Sequence, residues 1–304
     1  MVAFIQNCVD ALSLGSLYAL AALGIGLLFG MLRLINFAHG DFITIGAFGL
    51  IVPSRNDTAI MAIGSLPVVL LVPAACAIVV IAALLSDRLV FRPLRTASAP
   101  TLMVASFSVG YIIQNTILVT YGARPKTIDL WSSLGEQLHF GAVRVPRLEV
   151  VTIGVTLVLL AALTAFLKRT RYGVQIRAAA EDFLMARYLG VRANLAIGVA
   201  FALSGVLAAI VSLLFVSETG TLTNVMGVPL MLYAFIATVV GGMGSLVGAV
   251  VGGYTVGFLG VMLQAYLPDG LRSFRDAFVF ATVVFVLLLR PAGIIPTKAL
   301  VQRV

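Results

Sequence analysis

Apolar stretches of about 20 residues recur from one end of this 304-residue chain to the other, and nothing else in it constrains the fold as strongly. A hydrocarbon core about 30 Å thick is crossed by about 20 helical residues rising 1.5 Å each. The stretches lie near 9–31, 34–52, 62–86, 99–121, 149–167, 195–216, 229–242, 247–266 and 274–290. They show no period-2 alternation, and in lipid every backbone amide needs an internal partner, so helices are expected and a barrel is excluded. With 61% hydrophobic and 11% charged residues and a mean hydropathy of +1.11, nothing is left over for a soluble domain. The expectation is an all-α polytopic membrane protein with eight or nine transmembrane helices, some broken or re-entrant. The doubtful crossings are the second stretch, which opens on polar residues, and the seventh, "PLMLYAFIATVVGG", which has only 14 residues.

The net charge of +8 is dispersed among short loops, which fits the positive-inside rule better than a nucleic-acid patch. "SDRLVFRPLR" carries Arg88, Arg92 and Arg95 against Asp87, and the stretch 168–192 carries Lys168, Arg169, Arg171, Arg177, Arg187 and Arg192 against Glu181 and Asp182. Both are expected in the cytoplasm, with the tail after Arg290. The loop 122–148 is nearly balanced and holds the single tryptophan, Trp131, so it is expected outside. Strict alternation then puts the N-terminus outside, unless the second or seventh stretch is re-entrant. The first stretch lacks a basic leader and is too long for a signal peptide, so it is expected as the first span. Cys8 and Cys76 sit in apolar runs and suit small buried hydrophobes better than a disulfide or a metal site.

One string breaks the apolar pattern: "LINFAHGDFITIGAFGL", Leu34 to Leu50. If its polar half were a loop, too few residues would remain before Pro53 to cross the membrane, so some of Asn36, His39 and Asp41 must enter the membrane zone. On a helix Asn36, His39 and Gly40 share a face, with Asp41 turned about 140° from Asn36. Ionisable groups at such depth are costly unless they face a cavity or a partner helix, so they read as pathway or gate elements or as ties between helices. In the fourth stretch Ser108, Tyr111 and Asn115 share a face, with Gln114 beside them, and interhelical bonds or a wet route could satisfy them. Gly241, Gly242, Gly244 and Ser245 interrupt two apolar runs, either as unwound backbone at a binding site or as a tight turn. Gly248 and Gly252, four apart, are expected at close helix contacts, as are Ser204, Ala208 and Ser212.

Several chemistries are missing. No phosphate-binding G-x-x-x-x-G-K-[ST] string occurs, and "GARPKT" at Gly122 has the wrong spacing. The two histidines, His39 and His139, form no metal cluster, and neither G-x-S-x-G nor paired carboxylates suggest hydrolysis. The chain is therefore expected to be no enzyme, with no catalytic and no metal-binding residues. The segment from Val174 to about Leu189 is rich in helix formers and stops at Gly190. Phe183, Ala186, Tyr188 and Leu189 are expected to present an apolar ridge of the kind that docks in a groove on another protein.

Three stretches together, "GSLYALAALGIGLLFGMLRLINFAHGDFITIGAF", "IRAAAEDFLMARYLGV" and "VVGGMGSLVGAVVGG", closed by "VLLLRPAGIIP", resemble the LivH-type permease of branched-chain amino acid ABC importers. The likeness runs over nearly the whole chain in the right order. It implies one permease domain over 1–304, with a cytoplasmic coupling segment near 168–194, in the bacterial inner membrane. It also implies a second permease subunit, two cytosolic ATPases that hold ATP and Mg so that this chain carries no cofactor, and a periplasmic binding protein that delivers leucine, isoleucine or valine. By the same resemblance Asn36, Phe37, Ala38, His39, Gly40 and Asp41 form the family signature, and Glu181, Asp182, Ala186, Leu189 and Gly190 belong to the coupling segment. Related permeases take urea, short amides, other amino acids or aromatic acids, so those substrates stay open. From a different class, a proton-coupled secondary transporter could use His39 and Asp41 as a relay, and a channel-like facilitator would need neither ATP nor a binding protein.

Overall fold

The computed structural model describes residues 2–32, 35–54, 56–95, 97–140, 143–181 and 183–295. Arg33, Asp182 and the tail beyond Ile295 lie outside the described residues, and so does whatever was expected of them. The first helix, α1 (Val2–Leu32), meets no proline over its 31 residues and is buried without interruption from 15 to 28. A helix apolar all round has no face to give to water, and enclosure follows. After it come α2 (His39–Phe48), α3 (Val68–Ser86), α4 (Ala99–Tyr121), α5 (Arg147–Arg169), α6 (Arg171–Glu181), α7 (Phe183–Tyr188), α8 (Ala193–Thr219), α9 (Gly227–Gly241), α10 (Leu246–Tyr266) and α11 (Arg275–Leu289). Six of these, α1, α3, α4, α5, α8 and α10, are long and apolar enough to cross a membrane. The doubtful second and seventh stretches are α2, with 10 residues, and α9, with 15, about 15 and 22 Å of rise.

Among the described residues four short strands supplement the helices, at β1 (Lys126–Thr127), β2 (Gln137–Phe140), β3 (Val143–Pro146) and β4 (Thr221–Leu222). β1 pairs antiparallel with β4, Lys126 opposite Leu222, and β2 pairs with β3, Gln137 opposite Pro146. Cys8 and Cys76 are free thiols, each half-buried rather than fully enclosed.

The chain forms two compact units. The first comprises 1–26, 131–162 and 232–304. Its centre is α10, whose glycines serve two neighbours: Gly248 and Gly252 lie against the backbone of Gly241 and Ala237 in α9, while Gly253 and Gly257 lie against Ala19 and Gly15 in α1. Without side chains at those positions the backbones approach closely, the source of helix affinity where lipid removes the hydrophobic drive. The turn from α9 to α10 uses Gly242 at φ +114, and Ser245 caps α10 by accepting from the Gly248 N–H at 3.0 Å. The last carbonyls of α9 accept from the tail, Ile294 N–H to Val240 at 2.8 Å and Ile295 N–H to Gly241 at 2.9 Å. Helix ends otherwise leave such carbonyls unpaired.

The second unit comprises 27–130 and 163–231. Here α3 and α8 pack along their lengths, with Gly205 of α8 against Val80 and Ala83 of α3. The outward face of α3, with Val69 80% exposed beside Leu70, Ile81, Leu84 and Leu85, is wholly apolar, as a lipid-facing surface requires. At its end α3 passes into a π-helical turn, Asp87–Phe91, closed by the Arg92 N–H on the Asp87 carbonyl. Within this frame α2 is enclosed, with nine of its ten residues buried.

Candidate functional site

The polar string lies at the start of α2, where Asn36 shapes the entry turn and His39 and Asp41 are held by two different helices of the second unit. Asn36 is not on the helix, contrary to the shared helical face expected of Asn36, His39 and Gly40. It precedes α2 and makes its entry turn: its Oδ1 accepts from the Ala38 N–H and its carbonyl from the His39 N–H, both at 3.2 Å. Asparagine competes with helix formation by this kind of local bond, and so sits at the helix entrance. Phe37 next to it donates its N–H to Ser106 Oγ on α4, and its ring stacks on Phe107 with centroids 4.1 Å apart.

His39 is fully buried, and its Nδ1 is hydrogen-bonded to Ser204 Oγ on α8 at 3.1 Å. Asp41 is 3% exposed and accepts from Gln114 Nε2 of α4 at 2.8 Å. Gly110, one turn before Gln114, makes room for that carboxylate: a methyl there would collide with Asp41 Oδ2. Gly40 meets the backbone of Gly227 at the start of α9, and Thr44 Oγ1 joins the two by donating to the Gly40 carbonyl and accepting from the Gly227 N–H. Further along, Gly46 rests on Ser212 of α8. Two atoms of this set, Asn36 Nδ2 and His39 Nε2, are buried with no hydrogen-bond partner among the described residues. A buried polar group left unpaired costs about 1–3 kcal/mol.

Of the four α4 residues singled out in the sequence, only Gln114 joins this cluster. Ser108 and Tyr111 point outward, Tyr111 at 69% exposure, and Asn115 is half-buried. Ser108 Oγ and Asn115 Nδ2 each bond to a carbonyl one turn back on their own helix. The polar face of α4 therefore divides between an inward amide and an outward strip. Ser106 and Gly110 carry no signal in the sequence that singles them out. The spacing of Ser204 and Ser212 marks them as small packing residues, whereas the bond from Ser204 to His39 is visible only in the fold.

Gly241, Gly242, Gly244 and Ser245, for which the sequence leaves both a binding site and a tight turn open, lie in the first unit at the turn and close contact between α9 and α10, where the space a side chain would need at Gly241 and Gly242 is filled by backbone of the same chain. Gly248 and Gly252 pack α10 on α9 within one subunit. In α7 Ala186 is buried at 4% and faces inward, so it is not part of the expected apolar ridge; Met185, Tyr188 and the following Leu189 are exposed, Tyr188 at 84%. Gly190 follows at φ +84 and ends the segment, while the side chains of Glu181 and Phe183 lie outside what is described. Among the described residues no group of three or more potential metal ligands occurs.

The chain is 31% identical over 300 residues to the high-affinity branched-chain amino acid transport system permease protein LivH of Escherichia coli, covering 96% of this chain and 95% of the relative. It is 30% identical over 299 residues to the corresponding protein BraD of Pseudomonas aeruginosa, with coverage of 96% and 95%. The probable branched-chain amino acid transport permease LivH of Methanocaldococcus jannaschii is 26% identical over 298 residues. The model of the family described as branched-chain amino acid transport system / permease component matches residues 7–287, a span that takes in helices of both units. This multi-pass helical membrane protein belongs to the family of branched-chain amino acid transport system permease components.

Proposed function

We propose that the chain is the membrane-spanning subunit of an ATP-binding cassette importer that carries leucine, isoleucine and valine across the inner membrane, acting as a single permease domain. Two separate cytosolic subunits bind ATP and Mg and hydrolyse the nucleotide, a second permease subunit completes the route, and a periplasmic binding protein delivers the substrate. The printed functions of the relatives and the extent of the match support the substrate class. The exposed apolar side chains of Met185 and Tyr188 on the short helix α7, and of Leu189 just after it, between basic flanks, support docking to an ATPase.

Within this reading the α2 cluster is a gate hinge. The observation that carries it is the pair of unpaired buried atoms, Asn36 Nδ2 and His39 Nε2. A second conformation that offers either atom a partner recovers about 1–3 kcal/mol, a bias large enough to shift a two-state element. The enclosure of Asn36, His39 and Asp41 supports a role in holding the gate over one in selecting the substrate. The outward strip of Ser108, Tyr111 and Asn115 lies near mid-span, about 14–24 Å along α4 from Ala99, where polar groups are costly against lipid and suited to a wet route.

The test is uptake by the complete complex in proteoliposomes, with ATP inside or outside and with or without a proton gradient, using His39→Asn. Asparagine stays polar but does not titrate near neutrality. The variant is expected to retain ATP-dependent uptake with an altered rate and unchanged preference among leucine, isoleucine and valine. Uptake that follows the proton gradient, ignores ATP and vanishes in His39→Asn would establish a secondary transporter instead.

A further inference from the structure

The π-helical turn at the end of α3 holds a buried ion pair that the gate does not use. Arg95 Nη2 donates to both carboxylate oxygens of Asp87, at 2.7 and 3.0 Å, with the two side chains only 10% and 9% exposed. Its Nη1 donates to Asn194 Oδ1, on the first turn of α8. One guanidinium thus joins the end of α3, the segment entering α4 and the start of α8. A buried pair of this kind is weak evidence for stability, since well-packed apolar groups often do as well, yet removing one partner strands a charge. Its geometric role is more specific.

α4 carries Gln114, which grips Asp41, and α8 carries Ser204, which grips His39. Asn194 follows the exposed Tyr188 and Leu189 by a few residues, across the turn at Gly190. A push on that segment reaches α8 first. Whether α4 follows or lags decides whether α2 is moved as a body or pulled apart between its two holders. π-Turns inside helices recur at functional sites, where the looser hydrogen-bond register permits local readjustment.

We propose that Arg95 is a positioning residue that couples nucleotide-driven movement of the segment around residues 183–192 to the α2 gate, by locking α8 to α3 and α4 through Asp87 and Asn194. The inference rests on the proposed docking of that segment to an ATPase. In the complete reconstituted complex, Arg95→Gln and Asn194→Ala are each expected to raise the ATP hydrolysed per amino acid imported, Arg95→Gln by about fivefold or more, the lower end of ordinary coupling free energies. The double exchange Asp87→Arg with Arg95→Asp is expected to bring the ratio back toward that of the unaltered chain, which a loss of folding alone would not do. Cross-linking of Leu189→Cys to the ATPase is measured alongside. With the cross-link present, hydrolysis and import falling in proportion in both single variants, so that the ratio stays constant, overturns the coupling role and leaves a structural tie. Absence of the cross-link in the chain carrying Arg95 refutes the docking on which the inference stands.

Discussion

Gly110→Ala probes the hold on Asp41 with the smallest possible change. The added methyl collides with Asp41 Oδ2 and comes within 3.3 Å of its Cγ. The carboxylate must turn away, and the 2.8 Å bond from Gln114 is lost. Hydrogen bonds to charged groups contribute about 1.5–3 kcal/mol, and the glycine-to-alanine exchange returns at most about 1 kcal/mol of helix propensity. The net expectation is a destabilisation of about 0.5–2 kcal/mol, accompanied by slowed uptake. Gly154→Ala in α5 is the control: nothing lies within 4 Å of the added methyl, so only the propensity gain applies. The assay is a double-mutant cycle with Gln114→Leu, read by thermal unfolding in nanodiscs and by uptake in the reconstituted complex. If the collision acts through the Gln114 bond, Gly110→Ala costs much less once Gln114 is gone, because the pair is strongly non-additive. An equal cost in both backgrounds, or a stabilisation like that of Gly154→Ala, refutes the reasoning.

Gly252→Leu is expected to separate α10 from α9 and reduce the yield of folded protein, since the side chain would enter the Ala237 carbonyl, whereas Gly260→Ala, with open space around it, should be tolerated; chromatographic homogeneity after extraction distinguishes the two. Cysteines at Tyr188 or Leu189 should cross-link to the ATPase in inverted vesicles and a cysteine at the buried Ala186 should not, the reverse pattern placing the docking face elsewhere. Cysteines at Ser108 and Tyr111 are expected to react with a water-soluble maleimide, in contrast to Val69 of α3 and Leu288 of α11; equal silence at all four would mean that the outward strip of α4 is covered by lipid or by another subunit.

The sequence by itself determined the class of this protein. Apolar runs at membrane length permit few folds, because an amide in hydrocarbon must find its partner along the same helix. The same logic identified the second stretch as anomalous: too few apolar residues follow Asp41 to cross, so polar groups had to be buried. What the sequence left open was direction. Periodicity orders residues around one helix axis, but which neighbour each meets depends on contacts distant in the chain. His39 with Ser204 lies 165 positions apart, and Asp41 with Gln114 lies 73 apart. For the same reason Ala186 and Tyr188, two residues apart in a short helix, could not be told apart as inward and outward. Glycine was the most ambiguous of all. A residue without a side chain serves an unwound binding site, a tight turn and a close helix contact equally well, and only the backbone lying opposite Gly241, Gly248 and Gly252 decided for the contact.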